Sequence, residues 1–166
     1  MYKYCCFLLL TFCFFSTSCR RNSNLQDSGT DFLQGVWAED SVAYQNQLLQ
    51  YTSHTFKFSC DSFYATLNTF AKVNAFADSC FNKGRFTEYA KGVYTLNNDT
   101  LLINGTFTKS NFKQKISGCY RSGQYLKSFI IKRKLADTIY LQSMQQHTPL
   151  ILNLKQAITC VRKPIN

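Results

Sequence analysis

The sequence lacks the signatures of the commoner enzyme families: no G-x-S-x-G nucleophile turn, no phosphate-binding P-loop and no H-E-x-x-H zinc helix. No two cysteines stand as C-x-x-C, so the close ligand pairs of a zinc site are missing as well. Acids are scarce, nine against 19 Lys and Arg, and none lies between Thr100 and Ala136. Asp27 and Asp31 fall in a polar stretch, and Asp61, Asp99 and Asp137 in turn-like settings. That leaves Glu39, Asp40, Asp78 and Glu88. Glu39 and Asp40 are adjacent, so on a strand they point to opposite faces and cannot work as a pair. His54 and His147 have no partner by spacing and are expected at the surface or rim. A non-enzymatic protein with no cofactor and no metal is therefore expected. There is no internal repeat and no low-complexity tract. The apolar stretch from Phe7 to Phe15 is nine residues long, well short of the ~20 that carry a helix across a ~30 Å hydrocarbon core.

What the sequence does hold is aromatic and basic. Aromatics make up 16% and charged residues 17%, a mix too apolar for a disordered chain. The formal charge of +10 favours anionic partners. Lys3, the short apolar stretch and then Ser16-Thr17-Ser18 before Cys19 resemble a secretory signal ending in the lipobox of bacterial lipoproteins. The resemblance implies removal of residues 1–18, a diacylglycerol on the Cys19 sulfur and a further acyl chain on its amine. Arg20 and Arg21 follow, without the acidic run that marks surface export in some lipoproteins. The expected location is thus the outer membrane, with the domain facing the periplasm. Nucleic acid is not an expected partner there, and a monomer is expected.

Cysteine usage fits export. Cys5, Cys6 and Cys13 leave with the signal, and Cys19 is taken by lipid. Cys60, Cys80, Cys119 and Cys160 remain, and in an oxidising compartment an even, widely spaced set reads as two disulfides. Three pairings are open. The favoured one is Cys60–Cys80 with Cys119–Cys160, the first closing a local excursion and the second tying back the last strand.

Residues 19–30 are polar and read as a tether, with one domain over residues 31–166. Strand signals then follow closely: Val36 to Ala38, His54 to Cys60, Phe63 to Phe70, Phe86 to Leu96, Asp99 to Phe107, Asn111 to Cys119, Tyr125 to Arg133, Thr138 to Met144 and Leu150 to Val161. Asn97-Asn98-Asp99 is a strong turn signal, because Asn and Asp tolerate left-handed backbone. Tyr44, Leu48 and Tyr51 fall near i, i+4, i+7, which predicts one helix over Ser41 to Tyr51. The fold class is all-β: an antiparallel up-and-down barrel of about eight strands, closed to protect its edges, with one short helix or lid segment.

Leu33-Gln34-Gly35-Val36-Trp37 is similar to the G-x-W that opens the first strand of lipocalins. Gly92 to Ile103 resembles the G-x-Y-x-L-x-x-D-T-L hairpin of lipocalin-like lipoproteins of Gram-negative bacteria. The resemblance implies a barrel end plugged by Trp37 after Gly35, with Arg162 packing across the indole. It also places Ser41 to Ser53 over the open mouth, where Tyr44, Leu48, Leu49 and Tyr51 either line a ligand lid or cover the barrel as core. Some small lipoproteins of this kind carry a fumarate hydratase label. The aspartase–fumarase signature G-S-S-x-M-P-x-K-x-N is absent here, and so is a site suited to an iron–sulfur cluster.

Lys109, Lys113, Lys115, Arg121, Lys127, Lys132, Arg133 and Lys134 form an acid-free basic run. It is expected to make one end or flank positive, either for anionic lipid or glycan or simply as a solvated face. The expected role is a membrane-anchored binder of a small apolar or amphiphilic molecule. The alternative is a structural or interaction module whose barrel is filled by its own aromatics.

Overall fold

The computed structural model describes residues 25–74, 78–146 and 148–164. Residues 1–18 and Cys19, and with them the signal and lipidation expectations, lie outside the described residues. Alternating apolar side chains build eight antiparallel strands: β1 (Gly35–Ala38), β2 (Gln50–Ser59), β3 (Ser62–Ala71), β4 (Arg85–Asn97), β5 (Thr100–Thr108), β6 (Gln124–Lys134), β7 (Thr138–Ser143) and β8 (Pro149–Ala157). Each pairs with the next, and β1 also pairs with β8, so the sheet closes into a barrel with no free edge. The all-β, up-and-down barrel expectation holds, with eight strands.

The inward set follows the period of two. Phe56 and Phe58 of β2, Phe63, Ala65 and Leu67 of β3, Leu101 and Ile103 of β5 and Leu152 of β8 are all buried. Trp37 joins them at one end, where its indole N–H donates to the Leu33 carbonyl at 2.8 Å. Gly92 and Gly105 face each other across β4 and β5. A Cβ on Gly105 would lie 2.2 Å from the Lys91 carbonyl oxygen and 2.8 Å from the Phe63 ring, so only glycine lets the strands approach this closely.

The Trp37 end is sealed. The Gln34 side chain donates to the carbonyls of Thr30 and Cys60 and to the Tyr94 hydroxyl, and accepts from the Cys60 N–H at 2.6 Å. Tyr94 in turn donates to the Cys60 carbonyl at 2.7 Å. Arg162 is exposed beyond Cys160. At this end Lys134 lies over an aromatic ring, its ammonium 4.0 Å from the centre of the Phe32 ring.

Several expectations are corrected. The disulfides are Cys60–Cys160 and Cys80–Cys119, not the favoured pairing. Cys60 sits in the β2–β3 turn at the sealed end, and the chain leaving β8 passes beside it. Cys80 and Cys119 lie in connections at the opposite, open end. No helix forms over Ser41 to Tyr51. Tyr44 takes φ 59, which breaks a right-handed helix, and single turns bond Gln45 to Val42 and Gln47 to Tyr44. Gln50 and Tyr51 are drawn instead into the ladder with Ala71 and Phe70. The only α-helix among the described residues is the short α1 (Asp78–Phe81) between β3 and β4. Asn111 to Cys119 is a loop rather than a strand: Phe112 and Tyr120 adopt positive φ, and β5 pairs directly with β6.

The chain divides into two compact units, and the barrel unit is Asp27–Arg162. Within it the Thr30 N–H donates to the Tyr94 hydroxyl at 3.0 Å. Gly29, at φ +68, passes so close to Cys60 that a Cβ would meet its carbonyl oxygen at 1.9 Å. Gly29 and Thr30 therefore pack against the sealed end. In the other unit Leu25 pairs with Pro164, and the Gln26 N–H donates to the Lys163 carbonyl.

Candidate functional site

The end of the barrel opposite Trp37 is open. Four connections surround it: residues 39–49 between β1 and β2, 72–84 between β3 and β4, 109–123 between β5 and β6, and 144–148 between β7 and β8. A cavity of about 420 Å³ enters the barrel here, floored by Leu67, Phe129 and Leu150. Of the four candidate lid residues, Tyr44, Leu48 and Tyr51 line it, whereas Leu49 does not. They are not core: Tyr44 is 72% exposed, and Tyr51 stacks on Phe70 at the rim, with ring centres 5.1 Å apart.

Two buried carboxylates each meet a base near this mouth. Glu39, one residue past β1, places Oε2 3.0 Å from His54 Nδ1 and also accepts from the His54 backbone N–H at 3.1 Å. The Glu39 side chain is 3% exposed, so this imidazole has a partner that sequence spacing hid. His147 lies outside the described residues. Glu88, on β4, alternates inward with Phe86 and Ala90. It takes a forked set of bonds from the Arg121 guanidinium, including Nε at 3.1 and 3.0 Å, and a further one from the Arg121 N–H. Asp40 lies on the outside, where a hydrogen bond from Lys155 holds its carboxyl below the usual range. The Asp78 side chain is outside the described residues.

Cys119, Tyr120 and Arg121 act as a strap across one side of the mouth. Cys119 is bonded to Cys80. Tyr120 stacks on Phe86 with ring centres 4.3 Å apart and donates its hydroxyl to the Cys80 carbonyl at 2.6 Å. Arg121 pairs with Glu88 and lies 4.8 Å from the centre of the Phe107 ring. Three consecutive residues thus pin a loop that is otherwise exposed.

The basic run does not form one face. Lys109, Lys113 and Lys115 belong to the strap loop at the open end, and Lys132, Arg133 and Lys134 to the far end of β6. Lys127 points into the barrel, on the same face of β6 as Tyr125 and Phe129, and lines the cavity. Burial, and then the nearby Arg121 charge, push its ammonium below the usual lysine range. Beside it Tyr125 is buried, and its hydroxyl has no hydrogen-bond partner among the described residues. Burial raises the Tyr125 pKa, so the phenol stays neutral and able to donate. The signal for Lys127 was its place midway between two aromatics at strand period.

The site therefore combines an apolar floor, an inward lysine, an unpaired phenol and a rim of exposed apolar side chains. Compared with known proteins, the chain matches no family model, no curated protein and no solved structure.

Proposed function

We propose that this chain is a lipoprotein of a bacterial envelope, anchored through Cys19, whose barrel binds a small amphiphilic molecule without transforming it. The observation that carries this reading is the cavity. About 420 Å³ exceeds the roughly 300 Å³ below which small-molecule sites are uncommon, which counts against a barrel filled by its own aromatics. The chemistry of the wall refines the ligand. Leu67, Phe129 and Leu150 suit an apolar body, whereas Lys127 and the Tyr125 hydroxyl suit an anionic head such as a carboxylate or phosphate. A non-enzymatic role is supported by the engagement of the mouth acids: Glu39 is held by His54 and Glu88 by Arg121.

Native mass spectrometry of the protein purified from its own membranes tests this. The expected result is a population heavier than the lipidated polypeptide, whose extra mass leaves on solvent extraction as an anionic amphiphile. A chain with no extra mass that also takes up no fatty acid or lysophospholipid would rule the reading out.

A further inference from the structure

We propose that the open end of the barrel docks onto the surface of an anionic lipid bilayer, its loop tips entering the headgroup layer. Every one of the four open-end connections presents a large apolar side chain to solvent: Tyr44 and Leu49 between β1 and β2, Val73 between β3 and β4, Ile116 between β5 and β6, and Met144 between β7 and β8. Ile116 is 83% exposed and Leu49 67%. Single exposed apolar residues are ordinary, but one on each loop around a single opening gives an apolar fringe that follows the mouth.

The exposed charge around the mouth is mainly positive. Lys72, Lys83, Lys109 and Lys113 are exposed on these connections, with Lys115 half-buried beside them. The acids of the same connections leave little to oppose them. Glu39 is buried on His54 and Asp40 is paired with Lys155, so Asp78 alone remains. The sealed end carries both signs, with Asp31, Asp61, Asp99 and Asp137 at or beside its turns and Lys132, Arg133 and Lys134 exposed at the end of β6. The exposed lysines around the mouth, with so little acid among them, are complementary to an anionic surface. The occupant is a bilayer rather than an anionic polysaccharide because of the fringe. A glycan satisfies lysines but gives Leu49 and Ile116 nothing apolar to enter, whereas an interfacial headgroup layer takes both lysines and apolar tips.

This inference does not require the cavity to be filled, and its test separates it from both the ligand and the anchor. The lipidated protein carrying Ile116→Trp is reconstituted in vesicles of zwitterionic phospholipid alone, or mixed with phosphatidylglycerol, with brominated acyl chains as quencher. Trp37 is buried and contributes a constant background. The introduced indole is expected to shift to the blue and to be quenched in the anionic vesicles only. Replacing Lys109, Lys113 and Lys115 together by Gln is expected to weaken docking roughly a hundredfold, at ~1 kcal/mol per basic group. Leu49→Ser should reduce it without altering the circular dichroism of the barrel. An indole left unquenched in anionic vesicles, or quenched equally in zwitterionic ones, would overturn the proposal. So would tight binding to a soluble anionic polysaccharide that is indifferent to Leu49→Ser.

Discussion

Lys127 is held where a lysine is poorly solvated, between Tyr125 and Phe129 on the inner face of β6 with the Arg121 charge nearby. Its pKa falls below the ordinary lysine value, first through burial and then through Arg121. Between that lowered value and about 10.4 the folded chain binds fewer protons than the unfolded one, so stability rises with pH across this window. Below the window the charged amine is a standing cost to the empty barrel. At neutral pH Lys127→Met is therefore expected to raise the melting temperature of the ligand-free protein. The same change should remove selectivity for charge. The wild-type protein is expected to bind a carboxylate-headed amphiphile about tenfold more tightly than the matching alcohol, the scale of one charge-assisted hydrogen bond. In Lys127→Met the two affinities should converge. Titration calorimetry of both ligands measures this, and a ratio that survives the substitution would assign the head group to another residue.

At the scale of elements, the strap loop shows what sequence pattern reveals and what it hides. All eight strands were legible because each buries one face, so apolar and polar residues alternate as the pleat demands. Phe56 and Phe58 around Lys57, and Ala65 and Leu67 around Thr66, are plain instances. Asn111 to Cys119, within the loop from 109 to 123, reads as a strand because Phe112 and Ile116 carry apolar character, yet they have no sheet to serve. Phe112 instead meets Tyr64 and Tyr89 edge-on from outside the barrel, and Ile116 faces solvent. Tyr44, Leu48 and Tyr51 gave a helical period, yet a helix of that length needs a surface to bury its face against, and here they border an opening. The disulfide pairing was hidden for a related reason: which cysteines meet depends on which end of the barrel each turn occupies, and chain distance does not encode that. The strap yields its own prediction. Replacing Cys80 and Cys119 by Ser should leave the barrel folded on its Cys60–Cys160 bond, while lowering the unfolding free energy by about 3–4 kcal/mol in the chain-entropy account. Urea denaturation measures the loss. Hydrogen exchange should show protection falling across residues 109–123 and holding in β2 and β3. A uniform loss of protection would mean that the bond supports the whole barrel rather than the strap.

At the scale of the whole barrel, the two ends are built differently. Gln34, Tyr94 and the Cys60–Cys160 bond lock the sealed end, and the barrel unit begins there, since Gly29 and Thr30 pack beside Cys60 and Tyr94. The attachment proposed through Cys19 and the docking proposed through the mouth are separable in kind. Acyl chains hold by hydrophobic transfer, at ~0.8 kcal/mol per buried CH₂, and salt does not weaken them. The rim lysines hold by charge across a Debye length of roughly 10 Å at 0.1 M salt, which shrinks to about 3 Å at 1 M. In fractionated cells the wild-type protein is accordingly expected to stay with the membranes at any salt concentration. Cys19→Ala should stay with them at low salt, through the mouth alone, and move into the soluble fraction at high salt. Adding the three Lys→Gln replacements at 109, 113 and 115 should release it at low salt as well. Retention of Cys19→Ala in high salt would show that attachment does not pass through the Cys19 sulfur. Its full release at low salt would show that the mouth alone does not hold the protein to the membrane.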